Sequence, residues 1–287
     1  GDHVEVWAFR ALLLDARPPA DQLVADATPV ACEYRALDAE TLLADENRLR
    51  EAFGLLVLAH YRTEPDDLAR LLDAPNVAVR ALLHDGHVAA VALLAREGGL
   101  SAERRRRMYE GERVRGNMLP DLLTSQLRDE DAGEPVGVRV LRIATHHAVR
   151  SRGLGSRLLD EVATEMRAGG PWSDPVDYLG VGYGATPDLL RFWEGNGFRS
   201  VHLSTTRNDR SGEHSALMVR PLTDAGRDLH DRSAAFLARR LPSVLADALD
   251  GVDPDVVRGV LAATDAPVAL DLTPREWRLV ASAAYGP

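Results

Sequence analysis

The stretch Arg150-Ser151-Arg152-Gly153-Leu154-Gly155-Ser156 decides how this chain is read. It stands between an apolar, strand-length run, Val136–Thr145, and a segment, Gly153–Ala168, in which Leu154, Leu158, Leu159, Val162 and Met166 recur on one helical face. Glycines in such a loop let the backbone approach a ligand closely. The first amides of the helix that follows have no internal partners and point outward. Together with the helix dipole they make a site for an anion such as a pyrophosphate. Arg150 and Arg152 can add charge-assisted bonds. A dinucleotide loop of the form Gly-x-Gly-x-x-Gly would need glycine at 158, where the chain has Leu158. A glycine-rich turn before an ordinary helix is the plainer alternative on these residues alone.

Outward from the loop the periods are informative. In Val136–Thr145 the apolar phase runs Val136, Val138, Val140 and then Leu141, Ile143, a one-residue slip that predicts a β-bulge. Val176–Gly184 reads as a second strand. Thr186-Pro187 then opens a helix, threonine as cap and proline in the first turn, and Gly195 and Gly197 end it. Residues 200–206 and 214–220 form a last hairpin, and the pattern is helical beyond Pro221, with a capping box at Thr273-Pro274-Arg275-Glu276. Upstream, Asn76–Leu83 and His87–Ala95 are strands joined at Asp85-Gly86, a hairpin signal. Helices are expected over 46–60 and 65–72, and helix plus long loops over 97–135. Residues 4–14 read as a short strand and 20–45 as an acidic linker. The order of elements is that of an α/β core flanked by helices.

Composition removes several classes of function. All 34 basic residues are arginine and none is lysine, which excludes a Walker-type phosphate loop and a Schiff-base lysine. Cys32 stands alone, so neither an intrachain disulfide nor a cysteine-rich zinc site can form. His84 and His87 flank a hairpin turn and lack a third ligand, so no metal is expected. No apolar run approaches the roughly 18 residues of a membrane span, and no signal peptide opens at Gly1, so a cytoplasmic protein is expected. The net charge of −10 argues weakly against nucleic-acid binding, although a local patch can override it.

The Arg-x-x-Gly-x-Gly loop, the second strand and Leu190-Arg191-Phe192-Trp193-Glu194-Gly195-Asn196-Gly197-Phe198 together resemble the GNAT acyltransferase superfamily. The segments His60–Thr63, Leu71–Pro75, Arg115-Gly116-Asn117, Arg142–His146, Asp177–Val181 and Gly212-Glu213-His214 narrow the likeness to the tRNA cytidine acetyltransferases, which form N4-acetylcytidine. The likeness covers about residues 46–222. It implies a GNAT fold, a mixed and mostly antiparallel sheet with flanking helices, plus a C-terminal helical extension. The implied division is an N-terminal remnant strand and linker at 1–45, the acetyltransferase domain at 46–222 and a helical tail at 223–287 that can bind RNA. Residues 4–14 resemble the last strand of the helicase module that precedes the acetyltransferase in that family. The helicase body and its ATP loop are absent here, so the resemblance implies either an excised fragment or a helicase-less relative, with a helicase/ATPase module as the further partner it suggests.

The resemblance also assigns roles. Acetyl-CoA is the implied cosubstrate, gripped at its pyrophosphate by Arg150, Ser151, Arg152, Gly153, Leu154, Gly155 and Ser156. Ile143, Ala144 and Thr145 would line its acetyl and pantetheine portion, with a backbone N–H near Ala144 or Thr145 for the oxyanion. Gly180, Gly182 and Gly184 would offer a surface that the cofactor approaches. His146 is the implied general base for the weakly nucleophilic cytosine amine, and a strand-end histidine bonded to backbone is its plain alternative. Asp188 and Arg191 would stand near the cofactor. Tyr183 is a doubtful acid for the leaving thiolate. Glu213 and His214 either hold their turn or line the cytidine pocket.

The expected RNA surface is Arg104, Arg105, Arg106 and Arg107 with Arg113 and Arg115, six arginines within twelve residues of an acidic chain. A solvated helix face paired with Glu103, Glu110 and Glu112 is the alternative. Arg207 and Arg210 are weaker candidates, and Arg227, Arg232, Arg239 and Arg240 could extend the surface. The substrate implied is tRNA, with ribosomal RNA as the other possibility. Two other functions stay open: a GNAT enzyme acting on a small amine or a protein N-terminus, and a non-catalytic RNA-binding module.

Overall fold

The computed structural model describes residues 16–58, 74–209, 211–266 and 272–285. Its strands are β1 (Glu33–Ala36), β2 (Val77–His84), β3 (His87–Gly98), β4 (Val136–Thr145), β5 (Tyr178–Gly184), β6 (Arg199–Arg207) and β7 (His214–Pro221). Its helices are α1 (Asp21–Val24), α2 (Ala39–Ala44), α3 (Glu46–Leu58), α4 (Ala102–Tyr109), α5 (Met118–Leu127), α6 (Leu154–Arg167), α7 (Pro187–Gly195), α8 (Asp224–Leu245), α9 (Pro254–Ala262) and α10 (Pro274–Tyr285). The strands form one open sheet in the order β1-β2-β3-β4-β5-β7-β6. Every neighbouring pair is antiparallel except β4 and β5.

Local chemistry accounts for the junctions. Asp85 and Gly86 both have positive φ, at 48° and 86°, as a tight β2–β3 turn requires. Thr186 caps α7 by accepting from the Leu189 amide, and Pro187 fills the first turn, where its missing N–H leaves no bond unmade. Thr273 and Glu276 exchange the reciprocal bonds of a capping box at the start of α10.

The strands alternate their side chains between two covered faces. On one face α6, α7 and α9 pack with Leu158, Val162, Leu190, Trp193 and Val260 against Val138, Leu179, Val181 and Phe198. Each fully buried leucine there stabilises the fold by roughly 1.5–3 kcal/mol. The other face carries two separate clusters. Phe53 and Leu56 of α3 cover β2 and β3, while Leu119 and Leu123 of α5 and Leu229 of α8 cover Tyr178, Val201 and Leu217. Buried Glu97 accepts from Arg139 Nε at 2.5 Å and from the Leu119 amide at 2.9 Å, which fixes the start of α5 to the sheet.

The expected linker over 20–45 is corrected. β1 pairs with β2, and Tyr34 and buried Arg80 both bond Glu165 of α6, at 2.5–2.7 Å. Val24, Ala27, Cys32, Leu37 and Leu42 are buried. The strand expected over 4–14, the helix expected over 65–72, the segments His60–Thr63 and Leu71–Asp73, and Arg210 lie outside the described residues.

Candidate functional site

β4 and β5 are paired only at Gly137–Tyr178, Val138–Leu179 and Arg139–Gly180. Beyond Arg139 the two strands part. The bulge expected in β4 is present: Leu93 faces Arg142 and Leu94 faces Val140, so Leu141 is the extra residue. The unpaired backbone of the bulge therefore lies three residues before Ala144, upstream of the expected oxyanion position. Leu141 to Thr145 and Gly182 to Gly184 are all half-buried, whereas central parallel strands are normally covered. The parting strands thus bound an open cleft. Ile143 packs toward the α6–α7 face and Ala144 toward the α3 face.

The loop after β4 lies at the end of this cleft. Ser151 and Gly153 are left-handed, at φ 59° and 86°. The first backbone bond of α6 runs from the Arg157 amide to the Gly153 carbonyl at 2.9 Å. Among the described residues, no hydrogen bond engages the amides of Gly153, Leu154, Gly155 or Ser156. A Cβ on Gly155 would stand 3.4 Å from the Phe192 ring and 3.6 Å from Thr145 Oγ1, so the helix start adjoins the cleft. Arg150 and Arg152 are exposed beside these amides. Free amides, a positive helix end and two guanidinium groups fit a pyrophosphate. Leu154 contributes only backbone, since its side chain is buried in the core.

His146, expected as the general base, directly follows β4 and is held on both ring nitrogens in this structure. Its ring is fully buried, Nε2 donates to the Pro19 carbonyl at 2.9 Å, and Nδ1 accepts from the Ala148 amide at 3.3 Å. Both nitrogens are engaged, so neither has a lone pair free for a substrate proton. His147 stacks on this ring and pairs with Asp21 at 2.9 Å. Asp21, His146 and His147 bring three potential ligand atoms within 4.8 Å. The tautomer fixed by Ala148 places the His146 proton on Nε2, which removes that atom as a metal ligand.

A segment that the sequence reading missed lies over the loop. Residues 17–29 form a strap that bonds His146 through Pro19 and His147 through Asp21. Farther along, Arg152 donates to the Ala25 carbonyl at 2.6 Å and Arg157 to the Pro29 carbonyl at 2.6 Å. Val24 and Ala27 anchor it in the core. Their spacing of three is the one sequence signal that this stretch is packed rather than free.

Asp188 and Arg191 pair with each other in the open on α7. Tyr183 donates to the Met218 sulfur at 2.8 Å and packs beside Trp193. Burial pushes its phenol well above the ordinary range, which suits a packed side chain better than an acid. Gly180, Gly182 and Gly184 do not present the bare surface expected of them. The space a Cβ would take is filled by Leu119 at Gly180, by Leu217 and Met118 at Gly182, and by the Glu213 carboxylate at Gly184.

The arginine cluster divides. Arg105 is half-buried and pairs with Asp131 at 3.4 Å and Glu134 at 3.1 Å. Arg106 pairs with Glu110 and Arg107 with Glu112 on the exposed face of α4. Arg104, Arg113 and Arg115 are exposed and, among the described residues, have no ion pair. Asn117 accepts from the Gly98 amide at 2.8 Å and so pins the loop that carries Arg113 and Arg115.

Comparison with known proteins adds to this geometry. The GNAT acetyltransferase 2 family matches residues 51–169 and 166–223. The tRNA(Met) cytidine acetyltransferase TmcA of Haloferax volcanii is 67% identical over 287 residues, all of this chain and 37% of that protein. The protein of the same name from Haloarcula marismortui is 64% identical over 99% of this chain and 36% of its own length. That from Nitrosococcus halophilus is 42% identical over all of this chain and 38% of its own. The chain thus spans little more than a third of these relatives. Among solved structures, Arabidopsis thaliana NAA60 in complex with acetyl-CoA is 15% identical over 67% of this chain and 98% of that one, with a TM-score of 0.43.

Proposed function

The chain belongs to the GNAT acetyltransferase 2 family, and on that premise we propose that it moves an acetyl group from acetyl-CoA to the exocyclic amine of an RNA cytidine, the wobble cytidine of elongator tRNA(Met). The observation that carries the reading is the parting of β4 and β5 beside free helix amides. The identity to proteins named tRNA(Met) cytidine acetyltransferase favours cytidine over a small amine or a protein N-terminus.

When bound, acetyl-CoA supplies an activated acetyl thioester. This chain's residues do the rest. The amides of Gly153 to Ser156, with Arg150 and Arg152, hold the pyrophosphate at the α6 N-terminus. Ile143 and Thr145 line the path from there along the open half of β4. The backbone at the Leu141 bulge is free to donate to the thioester oxygen, where a preorganised donor stabilises developing charge. Arg104, Arg113 and Arg115 offer unpaired charge to RNA phosphates. A stacked or paired base is out of reach until it is flipped out.

The test is to incubate the chain with acetyl-CoA and unmodified tRNA, digest the RNA and look for N4-acetylcytidine by mass spectrometry. That nucleoside is the expected product. CoA release with a polyamine or peptide, and none with tRNA, would turn the reading to another acceptor.

A further inference from the structure

We propose that Arg142 reads the acceptor base by its N3 and O2 atoms, an inference that rests on the cytidine reading above. The two faces of the sheet divide the work. The start of α6 adjoins Phe192 of α7, so acetyl-CoA held there reaches the parted strands from the face that α6 and α7 cover. Its thioester then turns its other side to the face of α3 and α5, and an acceptor has to enter from that side.

Side chains alternate along a strand, so the residues of open β4 that point to the acceptor side can be named. Arg142 and Ala144 stand opposite Leu93 and Val91, and Val91, Leu93 and Ala144 pack into the cluster of α3. Ile143, between them, turns the other way. Arg142 is therefore the charged side chain that Leu141 to Thr145 send to this side. It is half-buried, and its Nη1 reaches the Leu56 carbonyl at 3.5 Å, near the C-terminal end of α3. Across the gap, Gly182 of β5 has no side chain, and the Met118 methyl would stand 3.0 Å from a Cβ there. A slot with a guanidinium on one wall and a soft, polarisable thioether on the other suits a planar heteroaromatic ring.

The chemistry selects cytosine. A guanidinium donates parallel N–H bonds and accepts none. Cytosine offers two adjacent acceptors, N3 and O2, beside its amine. Uracil carries a hydrogen on N3, which the guanidinium repels. Adenine places one acceptor next to its amine and then a C–H, so it loses one bond of the two. Five donors in a fixed fork let an arginine keep its place in the fold and meet a base at once. Held by N3 and O2, cytosine keeps its amine unengaged. Arg142 directly follows Leu141, whose bulged backbone faces the thioester oxygen, so the base that it holds brings N4 to the thioester carbon.

The experiment uses a short single-stranded RNA with cytidine, uridine or 3-deazacytidine at the target position. The last keeps the amine and O2 and replaces N3 by C–H. The wild type is compared with Arg142→Lys, which keeps the charge and loses the fork. Calorimetry measures RNA affinity, and single-turnover transfer, acetyl-CoA affinity and the melting curve are followed in parallel. The wild type should bind cytidine roughly tenfold to 100-fold more tightly than either other base, and should acetylate it faster than 3-deazacytidine by a similar factor. Arg142→Lys should lose most of that preference with acetyl-CoA affinity unchanged. A loss spread evenly over all three RNAs would make Arg142 a structural residue and overturn the proposal, as would an Arg142→Lys protein that keeps the full preference. A wild type that acetylates cytidine and 3-deazacytidine equally well overturns it without any variant and leaves the cytidine reading intact. A wild type that binds acetyl-CoA but neither favours nor acetylates cytidine overturns the cytidine reading and this assignment with it.

Discussion

His146 donates from Nε2 to the carbonyl of Pro19 at 2.9 Å, and its ring is fully buried. The residue that follows the cleft strand is thereby tied to the strap over the anion loop. Its amide is held as well, by the Ala89 carbonyl at 2.9 Å. This histidine is a joint between β3, the strap and the loop.

His146→Ala should therefore destabilise the fold by about 2–4 kcal/mol, through a lost hydrogen bond and a cavity. Acetyl-CoA affinity should fall with it, because the strap loses its hold beside the loop. Urea denaturation with acetyl-CoA titration checks both. A variant of full stability and affinity whose transfer rate alone collapses would give His146 the role of base instead.

Gly153 sits at φ 86°, where a side chain is strained, and a Cβ there would stand 3.5 Å from Pro29. Gly153→Ala should cost about 1–2 kcal/mol of stability. Gly153→Glu adds a negative charge where the phosphates are to bind, and acetyl-CoA affinity should drop more than tenfold beyond the alanine variant. Equal affinity for acetyl-CoA in both variants would sink the loop assignment.

The bulge in β4 and the loop were legible because their signals are local. The slip from Val140 to Leu141 shifts the apolar phase within one strand, and glycine spacing before a helix speaks directly about backbone. The strap was not legible. It is held by carbonyls of Pro19, Ala25 and Pro29, which no side-chain pattern records. His146 illustrates the same limit: residue type says that a base is available, and only the fold says where its lone pairs point. Arg104 and Arg105 are neighbours in sequence, yet α4 directs one to solvent and the other to Asp131 and Glu134.

That division of the arginines is measurable. Arg105→Ala should lower stability while leaving the salt dependence of RNA binding unchanged. Arg104→Ala, Arg113→Ala and Arg115→Ala should each leave the melting curve in place and reduce the salt slope by about one. The reverse pattern would place the RNA elsewhere.

His202 is buried on β6 beneath α8, where desolvation and then Arg240 bring its pKa down to about 4. The unfolded chain takes up that proton near the ordinary value of about 6.5, well before the folded one. Stability from this site is therefore complete above about pH 6.5 and is lost as pH falls toward 4, by about 3 kcal/mol at most. Chemical denaturation at pH 7.5, 6 and 5 should show the loss, and His202→Phe should remove most of this part of the slope. An unchanged slope in that variant would mean the ring is charged in the folded state.

The central claim is tested most directly with isotope-labelled acetyl-CoA and two transcripts of elongator tRNA(Met), one with cytidine and one with uridine at the wobble position. The account predicts label on the wobble cytidine of the first transcript and none on the second. Label on a different acceptor, or no label on either transcript while the chain binds acetyl-CoA, would contradict it.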